Sequence, residues 1–278
     1  MKKTTAFMKN IFPLLLMVLA FPAVAKPTEE APVDGFYERT LFKDKGVIPY
    51  EYVRESDVIW EKRIWRVVDV REKMNLFFAY PKEPLIQIFL DAAYAGDITV
   101  YSPTDDQFTT KMTPDEVKSI GRRVDTIMVT DPITLIESPQ IVQQDLDIEK
   151  IRKFRIKEDW FFDKETSTQM VRVMGIAPII DRYDENGNFV GELPMFWIYY
   201  PHVRQLLAHH ESFNRMNDAV RLTWYNVFEM RTFSSYIIKI SNEYDRRITD
   251  YATGVEALLE GDSKKMELFN YEHDVWSW

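Results

Sequence analysis

The 278-residue chain contains no cysteine. Disulfides, thiolate metal ligands and a cysteine nucleophile are thereby excluded, and a chain of this length has to hold its fold by burial alone. Glycine is scarce as well, at nine residues. The phosphate-cradling patterns G-x-x-x-x-G-K-[ST] and G-x-G-x-x-G are missing, and so is the G-x-S-x-G nucleophile elbow. Beyond residue 25 no stretch reaches the roughly 18 consecutive apolar residues that a membrane helix needs, so direct membrane insertion is not expected. Acidic residues outnumber basic ones by 44 to 35, which opposes a nucleic acid as partner.

What is present begins with a leader. Lys2, Lys3 and Lys9 precede an apolar core from Ile11 to Phe21 and an A-x-A site at Ala23-Val24-Ala25, the pattern of a secretory signal peptide over residues 1–25. No cysteine follows it to take a lipid. The exported chain is therefore expected in the periplasm, held at a membrane only through a partner. Residues 26–35, KPTEEAPVDG, read as a flexible linker. Residues 36–53 are rich in apolar and aromatic side chains without a period, and read as an extended arm that packs along its own domain or reaches a neighbour.

Ser56 to Pro81 is the stretch around which residues 54–278, the expected globular domain, are organised. Trp60, Ile64, Val67, Val68 and Met74 recur at helical spacing, with Glu61, Lys62, Asp69, Glu72 and Lys73 mostly on the other side. This predicts an amphipathic helix with Ser56 as N-cap and Pro81 as its stop. Together with Glu158-Asp159-Trp160, Val171 to Pro178 and Phe196 to Pro201, this stretch resembles the GldN/PorN family of the type IX secretion and gliding machinery of the Bacteroidetes. The resemblance implies a non-enzymatic subunit that self-associates into a periplasmic ring with an outer-membrane lipoprotein of the GldK/PorK type. It also implies contact with a GldM/PorM-type inner-membrane motor protein, and it implies no catalytic residue and no cofactor.

Further along, Pro84 to Ala95 suits a buried helix capped by Gly96, and Thr113-Pro114-Asp115-Glu116 opens another that ends near Arg123. Short strands are predicted over residues 97–101 and 125–129. From Arg152 onward the period becomes two: strands over residues 152–162, 168–180 and 189–200, the last two joined by the hairpin signal Asp184-Glu185-Asn186-Gly187-Asn188. Pro178 and Pro194 are expected at edges or bulges of this meander. Helices are predicted over residues 201–212 and 223–231, and a final one over 255–268 interrupted around Gly261. The fold class is α+β, helices packed around a small antiparallel three-stranded meander with an extended N-terminal arm.

No metal site is expected. His209-His210-Glu211 lacks the H-E-x-x-H spacing, and an exported hydrolase would require His202, His209, Glu211 and Asp218 to converge. Neighbours on a strand face opposite ways, so Glu158 and Asp159 do not form an acid–base pair. Lys150, Arg152, Lys153, Arg155 and Lys157 read as a charged strand face able to meet an acidic patch on another subunit. Aromatics, 14% of the chain, and arginine dominate protein contacts. The candidate partner-binding residues are therefore Phe36, Tyr37, Tyr50, Tyr52, Arg152, Arg155, Trp276 and Trp278.

Overall fold

In a computed structural model, Val58–Asp69 form strand β1, where the spacing predicts a helix. The structure describes residues 46–120, 123–130, 137–144, 146–184, 188–220 and 222–276, all within one compact unit that spans Thr40–Trp278. The leader, the linker, Phe36 and Tyr37 of the arm, Glu185 to Gly187 of the hairpin and Trp278 lie outside these residues.

The reason for the reversal at β1 is its place in the sheet. It lies between β6, Lys153–Asp163, and β12, Tyr236–Ile240, antiparallel to both. A strand covered on both faces buries consecutive residues, and Ile64, Trp65, Arg66, Val67 and Val68 are all buried. Such a run has no period of two, so the helical spacing in it is fortuitous and the β-branched and aromatic composition is the better signal. The chain then turns and makes only a short 3-10 helix at Leu76–Ala79 before Pro81.

The meander is the middle of a larger sheet. β6 pairs with β7, Thr168–Tyr183, which pairs in turn with β8, Phe189–Pro194, and with β9, Trp197–Tyr199. Beyond β9 come the short strands β2, Val100–Tyr101, and β3, Lys111–Met112. The result is an eight-stranded antiparallel sheet in the order β12-β1-β6-β7-β9-β2-β3, with β8 on β7. The predicted strand over 189–200 is split at Met195-Phe196. This break accommodates Pro178, whose carbonyl accepts from Met195 N at 2.9 Å, so the side of β7 that lacks an N–H faces the break and no ladder bond is lost. Pro194 ends β8. The hairpin is closed by Asp184 N donating to Asn188 O at 2.9 Å and by Asn188 N donating to the Asp184 carboxylate at 2.7 Å. Two further antiparallel pairs stand apart from this sheet: β4, Arg123–Thr130, with β5, Glu137–Gln144, and β10, Glu211–Ser212, with β11, Leu222–Thr223.

Helices cover one face of the sheet. α1, Leu85–Ala95, is closed by Gly96 in the left-handed conformation at φ +81°, as its sequence predicts. α2, Pro114–Ser119, starts with a complete Thr113–Glu116 capping box. α3 is Tyr200–His209 and α4 is Trp224–Glu229. Their apolar sides meet Val68, Phe154, Ile156, Ile176, Ile198 and Val100 in the main core. α5, Val255–Trp276, runs uninterrupted through Gly261. The glycine marks a close approach instead of a break, because a Cβ built there would stand 2.9 Å from the Ile237 carbonyl oxygen of β12. Ile64, Ile237, Ile248 and Leu268 make the smaller core beneath it.

Candidate interaction surfaces

The opposite face of the sheet carries the basic run, and it is not open to solvent. Alternation along β6 puts Lys153, Arg155 and Lys157 on that face, yet Lys157 is 4% and Arg155 8% exposed. The cover is the loop from Ser102 to Thr110. Phe108, at a left-handed φ of +59°, lays its ring against Gly175, where any Cβ would lie 2.6 Å from the Phe108 Cζ. Edge-on contacts with Tyr101, Trp197 and Tyr199 hold that ring in place.

Asp106 of the same loop accepts from Trp65 Nε1 at 2.5 Å, and it meets Lys157 through both its backbone carbonyl at 2.5 Å and its carboxylate at 3.3 Å. Burial lowers the pKa of the Lys157 ammonium, and the Asp106 charge opposes that shift in part. Arg155 is pushed down by burial and by the Arg247 charge, and its Nε has no hydrogen-bond partner among the described residues. The charged strand face expected to meet an acidic neighbour is thus largely an internal layer. Arg152, which precedes β6, is exposed.

Glu158 and Asp159 are split as predicted. Glu158 is fully buried and accepts from Arg231 and from Trp160 Nε1 at 3.0 and 2.9 Å, while Asp159 takes two hydrogen bonds from Arg63, at 2.6 and 2.9 Å. The histidines stay separate too. His202 meets the Tyr199 ring edge-on, His209 bonds Gln205 at 2.8 Å and His210 bonds Glu83 at 2.6 Å. Asp218 is exposed in the segment after β10. Among the described residues no three His, Asp or Glu side chains are placed to hold a metal ion.

The described part of the arm lies on its own domain. Tyr50 stacks beneath the Arg204 guanidinium, 3.6 Å from the ring centroid, and its hydroxyl donates to Glu229 Oε1 at 3.2 Å. The same oxygen accepts from Tyr200 and from Arg204, both at 3.2 Å. Burial and the Glu229 charge raise the pKa of both phenols, so they remain donors. Arg204 also donates to the Ile48 carbonyl and Arg172 to the Glu51 carbonyl. No sequence motif marks Arg204, Glu229 and Arg172, which come from α3, α4 and β7, because only the fold brings them together. Tyr52, by contrast, is 87% exposed.

The hollows among the described residues include two that are open to a ligand or a neighbour. One, of about 460 Å³, lies between α5 and β1/β12, with Trp60 stacked on Tyr271 at 4.5 Å. The other, of about 620 Å³, is an open groove beside Val53, Phe161 and Arg172. Trp276 closes α5. Among the described residues no helix is long and apolar enough to cross a membrane.

Comparison with curated proteins gives no match. The family model described as "Gliding motility associated protein GldN" matches residues 53–277.

Proposed function

Because the chain belongs to the GldN family of the gliding motility and type IX secretion machinery, we propose that it is a non-enzymatic periplasmic subunit forming a ring with an outer-membrane lipoprotein of the GldK/PorK type. In this reading the ring stands between the outer membrane and a GldM/PorM-type motor protein, and the lipoprotein supplies the membrane address. The observation that carries the proposal is the family match over nearly the whole globular part. Two features agree with it: the sequence has no cysteine to take a lipid, and the buried Glu158 and Lys157 and the half-buried Asp106 are engaged with one another or with neighbouring arginine and tryptophan. Tyr52, Arg152 and the arm before residue 46 are the proposed partner contacts. Tyr50 and Arg155 contribute indirectly, through the order of the arm and of the sheet.

The test is to purify residues 26–278 alone and with the candidate lipoprotein, and to record mass and negative-stain images of both. Curved or closed assemblies containing both chains are expected. Two species that stay separate across a range of salt concentrations would overturn the ring and favour a monomeric adaptor.

A further inference from the structure

Helix α5 has two apolar faces, and the sheet uses only one. Ala257, Gly261 and Leu268 face β12 and the small core. On the other side Val255, Leu258, Leu259, Met266 and Phe269 are 51–71% exposed. An exposed apolar stripe on a well-docked helix is a contact surface. Positions 255, 258, 262, 265 and 269 step alternately by three and four residues, which is the seam spacing of a two-stranded coil.

The middle of this seam is Asp262 and Lys265, both exposed and neither ion-paired with a described residue. We infer that α5 pairs antiparallel with α5 of a second copy of this chain. In antiparallel order each Asp262 meets the other copy's Lys265 and each Leu258 meets the other copy's Phe269, twice over by the two-fold axis. Parallel order would set aspartate against aspartate and lysine against lysine, which is repulsive. The charge pattern therefore selects both the occupant and the direction. An isologous contact closes at two, so a ring would be built from such pairs through other surfaces. The inference rests on the reading of the chain as a self-associating subunit.

Charge exchange and cross-linking test it on residues 26–278. Asp262→Lys and Lys265→Asp, each alone, are expected to weaken self-association by roughly tenfold or more, and the double exchange to restore it. Unchanged far-UV circular dichroism checks that these exposed substitutions leave the fold intact. The chain has no cysteine of its own, so Leu258→Cys protein mixed with Phe269→Cys protein should give a disulfide-linked heterodimer. Neither should link to itself, since like positions are separated by about 16 Å along the helix. A chain that stays monomeric, single variants that associate normally, or a double exchange without rescue would overturn the pairing. If co-assembly with the lipoprotein survives any of those results, the ring reading stands without the α5 pair. Rescue and cross-linking without lipoprotein binding would leave the pair and remove the ring partner.

Discussion

Substituting Gly261→Ala sets two known effects against each other. In a solvent-exposed helix the change stabilises by about 1 kcal/mol, because glycine pays more backbone entropy than alanine. Here the added methyl would stand 2.9 Å from the Ile237 carbonyl oxygen, with Ile237 C and N also within 3.8 Å. The obstacle is backbone in a sheet strand, so relief requires α5 itself to move outward by several tenths of an ångström. That loosens Leu268 against Ile64 and Ile237, and the stack of Tyr271 on Trp60. Overpacking of this kind costs about 1–3 kcal/mol, so after the propensity gain of about 1 kcal/mol the variant should lose up to about 2 kcal/mol. In a domain of this size each kcal/mol lost lowers the thermal midpoint by about 2–4 °C. Urea unfolding followed by tryptophan fluorescence, together with a thermal scan by circular dichroism, measures both. A variant more stable than the parent by the full helix-propensity gain of about 1 kcal/mol would refute the close approach of α5 to β12.

Three other outcomes follow from the site geometry. Asp106→Ala leaves the buried Lys157 ammonium without a carboxylate and should cost about 3 kcal/mol, whereas Lys157→Met, which removes the charge itself, should cost clearly less; denaturant midpoints of the two variants decide the order. Tyr50→Ala removes the Arg204 stack and one donor to Glu229, and should expose residues 46–53 to limited proteolysis while the rest of the domain resists. At Asp69 burial raises the carboxyl, but hydrogen bonds from the Arg71 side chain and backbone and the charges of Arg71 and Lys153 outweigh it, so the folded pKa is lowered. A lowered folded pKa stabilises fully above the ordinary aspartate range and loses that contribution as pH falls below about 4 through the folded value. Asp69→Asn should lower stability by a constant amount across the neutral and alkaline range and flatten the acid limb, so that the two proteins converge as pH falls through the folded Asp69 pKa.

Much of the fold was readable where the signal is local. The Gly96 cap, the Thr113 capping box with Pro114, the alternation of β6 and β7 and the Asp184–Asn188 hairpin each depend on a few adjacent residues whose backbone preferences act without the rest of the chain. The family, too, followed from three separated blocks of sequence. Strand β1 shows the limit: a run buried on both faces carries no reliable period, and only pairing with β6 and β12 makes it a strand. The basic run shows the same limit from the other side. Alternation correctly put Arg155 and Lys157 on one face, but whether that face meets water depended on a loop some fifty residues away.

By itself the sequence determined the absence of disulfides and phosphate loops, the α+β class, the local caps and turns, and the family. The tertiary structure alone decided that the organising segment is a central strand, that the sheet has eight strands instead of three, that Tyr50 rests on Arg204 and Glu229, and that Gly261 is a contact and not a break. The physical reason is the range of the interactions involved. Caps and turns are settled within a few residues, whereas burial on two faces, paired charges and close backbone approach exist only once distant segments have been brought into contact.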